Sequence, residues 1–116
     1  MENTDALDTL SALAHDTRLA VFRALVRAGT EGMAAGEIAA ALDVRPNTLS
    51  NNLTILGHAG LVSSRREGRS IRYFAVIERM AGLVDFLLRD CCGGQADRCA
   101  PLAGRFARGT TEPMGT

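Results

Sequence analysis

No stretch of this chain approaches the roughly 18 consecutive apolar residues that a membrane-spanning helix requires, so none of it is expected to cross a membrane. Met1 to Asp8 is acidic and polar, with neither the basic segment nor the apolar block of a secretory signal, and a cytoplasmic location is the expectation. Lysine is absent: all 13 basic residues are arginine, a bias from which no function follows. Cysteine is scarce and oddly placed. The three thiols, Cys91, Cys92 and Cys99, are uneven in number and crowded into one short segment, which argues against a disulfide framework. Internal repeats are lacking too, and 116 residues leave room for one domain with a modest core.

Net charge is also missing, since 13 acidic residues balance the arginines, but the balance conceals a segregation. Met1 to Val44 sets Arg18, Arg23 and Arg27 against Glu2, Asp5, Asp8, Asp16, Glu31, Glu37 and Asp43. Arg45 to Arg72 sets Arg45, Arg65, Arg66, Arg69 and Arg72 against Glu67 alone. Clustered positive charge on a neutral chain is the electrostatic footprint of a nucleic-acid binder, although an ordinary solvated surface produces such clusters as well.

Helical spacing accounts for most of the chain. Leu7, Leu10, Leu13 and Ala14 predict a first helix capped by Thr4 or Asp5. Leu19, Phe22, Leu25 and Val26 predict a second helix after His15-Asp16, ended by Gly29 and Gly32. A short third helix is expected from Ala35 to Leu42, with Ile38 and Leu42 inward. A tight turn at Asp43–Arg45 then leads to Pro46, which suits the first position of a fourth helix running to His58. Leu61 to Arg66 and Arg69 to Val76 read as strands around a Glu67-Gly68 turn, and a last helix is expected from Ile77 to Asp90. The class is mainly α with a small β-hairpin, in the order of a winged helix-turn-helix. Residues 1–92 are expected to form the DNA-binding and dimerisation domain, and 93–116 an inducer-binding segment with a loose tail.

The fourth helix carries the most information. Leu49, Leu53 and Leu56 mark a buried side, and Asn47, Asn51 and Thr54 lie opposite, beside Thr48, Ser50 and Asn52. A solvated helix face is usually rich in Glu, Lys and Arg. These short uncharged groups are poor helix formers but suit base edges, where asparagine pairs with adenine and hydroxyls reach bases or phosphates. Arg45 and the wing arginines, Arg65, Arg66, Arg69 and Arg72, are candidates for phosphates or the minor groove. Strand alternation divides the four wing residues between two faces without saying which face meets DNA.

One such unit contacts only a few base pairs of double-stranded DNA, and a two-fold dimer reading two half-sites remedies that. The first and last helices carry more apolar surface than so small a domain readily buries. Leu7, Leu10, Leu13, Met80, Leu83, Val84, Leu87 and Leu88 are therefore the candidate seam, with plain core packing as the alternative for each.

The stretch Ser11-Ala-Leu-Ala-His-Asp-Thr-Arg-Leu-Ala-Val-Phe-Arg-Ala-Leu25 resembles the ArsR/SmtB family of metal-responsive repressors, as do Glu37-Ile-Ala-Ala-Ala-Leu42, Leu49-Ser-Asn-Asn-Leu53 and Ala59-Gly-Leu-Val62. Arg66-Glu-Gly-Arg-Ser-Ile-Arg-Tyr73 is similar to that family's wing, and the likeness extends from about Leu7 to Leu88. It implies a homodimer that binds an operator and leaves it when an inducer binds. Two of the family's metal sites do not carry over. Gly32-Met-Ala-Ala-Gly-Glu-Ile38 holds no cysteine where arsenic sensors often place theirs, and Asp85 on the last helix has no histidine nearby. Cys91-Cys92-Gly93-Gly94 followed by Cys99 instead resembles the carboxy-terminal arsenic site of one branch of arsenic repressors, whose targets are arsenic-resistance genes.

The chemistry agrees with that resemblance. Soft thiolates select soft ions, and As(III) keeps a lone pair that favours a three-coordinate pyramid, with Sb(III) fitting the same donors. Structural zinc wants four ligands, so zinc, cadmium or lead would need Asp90, Asp97 or water beside the thiols. Thiol oxidation is a further alternative, although adjacent cysteines make a strained disulfide. Cys92 to Arg98 also matches the C-x5-R loop of thiol phosphatases and some arsenate reductases. That loop needs a strand before the cysteine so that backbone amides converge on an oxyanion. Here a helix is expected before it and no general acid accompanies it, so the chain reads as a non-enzyme. No organic cofactor is implied.

Overall fold

The computed structural model describes residues 1–89, of which Met1–Phe86 form one compact unit. The three cysteines and the expected boundary at residue 92 lie outside the described residues. Helices α1 (Asn3–Leu13) and α2 (Asp16–Ala28) are followed by a single 3-10 turn, Gly29–Glu31. Then come β1 (Met33–Ala34), α3 (Ala35–Leu42), α4 (Pro46–His58), β2 (Val62–Glu67), β3 (Ser70–Ala75) and α5 (Ile77–Leu88). The strands form an antiparallel sheet in the order β1-β3-β2. This is a winged helix-turn-helix in which α3 and α4 make the helix-turn-helix pair and β2–β3 the wing. No helix among the described residues is long and apolar enough to cross a membrane.

Local chemistry sets the boundaries. His15 caps α2 by accepting the Thr17 amide on Nδ1 at 3.2 Å. Gly29 ends that helix at φ +64°, a conformation that costs glycine nothing. On α3, Glu37 reaches back to accept the Ala34 amide at 2.8 Å, and Asp43 closes the helix in the left-handed region at φ +54°. Pro46 then opens α4, where its missing N–H leaves nothing unsatisfied. The cap of α1 falls at Glu2 rather than at Thr4 or Asp5, with the Glu2 amide directed to the Asp5 carboxylate at 3.4 Å.

The core is built from one face each of α2, α3 and α4 and closed by the root of β2. Leu25, Ile38, Leu49, Leu56 and Leu61 are essentially inaccessible, joined by Val21, Phe22, Leu53 and Val62. At about 1.5–3 kcal/mol for each large side chain fully buried, this cluster holds α4 against the body while its other side stays in water.

Several expectations change. The buried side of α1 is Ala6, Thr9 and Ala12, and Leu7 and Leu10 are exposed. Small residues let α1 approach the body closely, so the leucines one step further round face solvent. Leu19 and Val26, expected inward, are exposed on α2, whose buried face is Val21, Phe22, Ala24 and Leu25. Of the candidate seam, Leu83 is buried in the monomer, and Leu13 and Met80 are half-buried, each packing part of its surface against the monomer's own core. Val84 and Leu88 are half-buried, and Leu87 is exposed.

The sheet differs in two respects. Met33 and Ala34 add a third strand, pairing with Tyr73 and Arg72. The wing turn is Gly68-Arg69 rather than Glu67-Gly68, with Glu67 paired to Ser70. Gly68 has φ +63° and Arg69 does not take a positive φ, which is the pattern of a type II′ turn with glycine first. α5 ends at Leu88, short of the expected Asp90.

Candidate nucleic-acid interface

The reading face grows out of the burial pattern of α4. Leu49, Leu53 and Leu56 anchor one side, so Asn47, Thr48, Ser50, Asn51 and Thr54 are held outward, with Arg45 exposed at the helix start. Two of these polar groups are partly used within the helix. Asn47 Oδ1 accepts the Thr48 amide at 2.9 Å, and the Thr54 hydroxyl donates to the Ser50 carbonyl at 3.0 Å. The side chains of Thr48, Ser50 and Asn51 have no hydrogen-bond partner among the described residues. They are available to a ligand without breaking any internal bond.

Asn52 departs from the expected set. It is 4% exposed, its Nδ2 donates to the Thr48 carbonyl at 2.9 Å, and its Oδ1 accepts from the Arg18 guanidinium at 3.4 Å. A side chain committed to two internal partners and closed to solvent does not read bases, so Asn52 leaves the interface. The signal was present in the sequence, because Asn52 sits three residues after Leu49 and four before Leu56, on the flank of the apolar stripe.

Strand register separates the four wing arginines. Directly opposed residues share a face, so the pairs Arg65↔Arg72 and Ser63↔Phe74 lie on one side of the hairpin. Arg66↔Ile71, Ser64↔Tyr73 and Val62↔Ala75 lie on the other. The first side is occupied by internal contacts. Arg72 Nε donates to the Glu31 carbonyl at 2.6 Å and its guanidinium pairs with Glu37 at 3.5 Å, which ties β3 to the segment before β1 and to α3. Arg72 thus anchors the wing to the body and is not a free contact for DNA. Arg65 pairs with Glu67 at 2.7 Å and lies 4.8 Å from the Phe74 ring centroid. That pair is exposed and worth little, so a phosphate can displace Glu67.

Arg66 and Arg69 are exposed with no ion-pair partner among the described residues. Arg66 lies on the Val62–Tyr73 side of the hairpin, which is also the side of α4. A groove of about 260 Å³ runs between α4 and the wing there, lined by Ser50, Thr54 and His58 on the helix and by Ser64 and Tyr73 on the strands. His58, Ser64 and Tyr73 were not anticipated as part of this surface. Only the register and the packing of β2 against α4 bring them beside the reading helix.

The surface therefore combines an uncharged polar helix face, an exposed helix start bearing Arg45, a hydroxyl-lined groove and two free wing cations. This combination suits a duplex whose major groove receives α4 while the adjacent backbone meets the wing.

Comparison with known proteins agrees. Residues 13–65 match the family described as Helix-turn-helix domain. The chain is 35% identical over 89 residues to the biofilm growth-associated repressor of Agrobacterium fabrum, covering 77% of this chain and 74% of that protein. It is 39% identical over 75 residues to a Halobacterium salinarum protein named as an arsenical resistance operon repressor, covering 65% and 57% of the two chains. Among solved structures it is similar to the homodimeric winged helix-turn-helix DNA-binding domain of a Mycobacterium bovis protein described as a possible ArsR-family regulator. There the identity is 30%, the TM-score 0.60, and the coverage 75% of this chain and 81% of that one. With the fold, the helix face and these relatives in agreement, the chain belongs to the ArsR/SmtB family of winged helix-turn-helix transcriptional regulators.

Proposed function

We propose that the protein is an operator-binding repressor that acts as a homodimer and is released from double-stranded DNA by trivalent arsenic. The observation that carries the DNA-binding part is the outward, uncharged face of α4, largely unpaired among the described residues, beside the exposed cations Arg66 and Arg69, which have no ion-pair partner among them. Repression is supported by two relatives that are named as repressors. Dimerisation is supported by the exposed Leu7 and Leu10 on α1 and by the homodimeric Mycobacterium bovis neighbour. As a member of a regulator family the chain is not an enzyme, and the C-x5-R match at Cys92–Arg98 has no catalytic role in this reading.

The inducer is assigned by donor chemistry. No three His, Cys, Asp or Glu residues among the described residues lie close enough to hold an ion. The chain's three thiols are Cys91, Cys92 and Cys99, and three thiolates complete the coordination of As(III) or Sb(III) without a fourth ligand. One relative is named for arsenical resistance, which supports arsenic-resistance genes as the target. Arsenic must then bind free protein more tightly than DNA-bound protein, by the same factor with which it weakens DNA binding.

A gel shift on the DNA upstream of the protein's own gene, titrated in parallel with arsenite, antimonite, zinc, cadmium and peroxide, tests this. Arsenite and antimonite should release the duplex at fixed salt, and Cys99→Ser should bind it normally yet ignore both. Release by zinc or cadmium alone, or by peroxide alone, would replace the arsenic assignment with a divalent-metal or redox sensor. Normal arsenite release of Cys99→Ser would show the three-sulfur site to be misassigned.

A further inference from the structure

Arg18 makes contacts that neither the core nor the DNA surface explains. It sits in the first turn of α2, and its guanidinium reaches two other helices. Nε donates to the Ala12 carbonyl at 2.5 Å and a terminal nitrogen lies 3.5 Å from the Ser11 carbonyl. Both acceptors belong to the last turn of α1, where carbonyls lack an i+4 amide within the helix. The Ser11 carbonyl also accepts the Ala14 amide at 3.2 Å, so the Ala12 carbonyl is the one that depends on Arg18. The other terminal nitrogen meets Asn52 Oδ1 on α4 at 3.4 Å, and Asn52 passes the connection to the Thr48 carbonyl at 2.9 Å. One planar cation thus joins the end of α1 to the turn of α4 that carries Thr48 and Asn51.

Stability alone does not account for Asn52. It lies 4% exposed beside Leu49, Leu53 and Leu56, where an apolar side chain would avoid the cost of desolvating an amide. What the amide adds is direction. Its carbonyl fixes the position of α4 relative to Arg18, and its NH2 fixes the rotamer by binding Thr48. A leucine here would pack, but α4 would then be held by apolar contacts alone, without the directional bond to Arg18.

We infer that Arg18 and Asn52 form a positioning link that sets the reading helix relative to α1, and through α1 sets the spacing of the two reading helices in the dimer. The inference rests on the operator-binding dimer proposed above. Neither residue touches DNA. Their effect is on the separation and tilt at which Asn47, Thr48 and Asn51 are presented. Because the two half-sites must be met at once, a small rotation of each α4 changes which half-site spacing fits.

The test uses the full chain and a duplex selected by the wild-type protein from a random pool, together with versions having one base pair added or removed between the half-sites. Wild type should prefer the selected spacing. Asn52→Ala and Arg18→Ala should each weaken binding to that duplex about tenfold, or about 1.4 kcal/mol, and flatten the spacing preference. The double variant should be no weaker than either single one, because both break the same link. The slope of affinity against salt should not change, since no phosphate contact is lost. Arg18→Ala also strips the Ala12 carbonyl of α1, while the Ser11 carbonyl keeps the Ala14 amide. If it fails to fold, Asn52→Ala, which leaves those bonds in place, decides the matter by its spacing preference alone. Additive losses, an unchanged spacing preference, or an Asn52→Ala defect confined to one base pair would overturn the link. Failure of the wild-type chain to retain any duplex would overturn the operator-binding reading and the link with it.

Discussion

Asn51 presents an exposed amide with no side-chain partner among the described residues, and Arg66 presents an exposed charge with none among them. DNA uses the two differently. An asparagine that reads an adenine edge contributes discrimination at one position, so Asn51→Ala should cost about 1–3 kcal/mol at a single base pair and little elsewhere. Arg66→Ala should weaken all sequences alike and lower the salt slope by about one. Fluorescence anisotropy against singly substituted duplexes at several salt concentrations separates these outcomes. A uniform loss in Asn51→Ala would recast it as a phosphate contact. The neighbouring Asn52 shows how far the sequence carries at this scale. Residue type marked both asparagines as readers, and only helical phase distinguishes the exposed amide from the buried one. The same limit held for the wing, where four arginines of one type were divided by a register that alternation alone did not supply.

Among the elements, the clearest sequence signals were the punctuated ones. Proline at the start of α4 and the periodic leucines within it placed Pro46–His58 correctly, and α3 was legible over the whole of Ala35–Leu42. The two-residue β1 was not, because a strand that short has no period of its own and exists through its pairing with Tyr73 and Arg72. Gly32, which precedes it, records that pairing. At φ +62° a Cβ there would strike the Tyr73 carbonyl and come within 2.6 Å of the Phe74 ring. Gly32→Ala should therefore destabilise the protein by about 1–3 kcal/mol from the backbone strain alone, with the collision adding to it. Gly36, inside α3 with no atom within 4 Å of such a Cβ, gives the opposite expectation. Gly36→Ala should stabilise by about 0.5–1 kcal/mol. Urea denaturation midpoints with an unchanged slope would confirm both signs, and a stabilised Gly32→Ala would contradict the close approach of the sheet to this glycine.

For the whole molecule, the exposed leucines of α1 matter more than the reading helix. Ala6 and Ala12 bring α1 close to the body, and Thr9, fully buried, satisfies its hydroxyl on the Asp5 carbonyl at 2.8 Å. Leu7 at 58% and Leu10 at 42% exposure are left outside, too large and too apolar to be indifferent to water. Their periodicity was visible in the sequence, but whether it served the core or a second copy was not, since both uses produce the same stripe. Because neither side chain supports the monomer's core, charge can be placed there without unfolding it. A Leu7→Asp, Leu10→Asp protein should keep its helical circular dichroism and its melting temperature at low concentration, and sediment as a monomer where the wild type sediments as a dimer. Its affinity for a two-half-site duplex should fall by at least about tenfold, toward that for a single half-site, because the second half-site no longer comes tethered to the first. A variant that still sediments as a dimer would move the seam away from α1, and the link through Arg18 would then set the reading helix against a surface other than the partner.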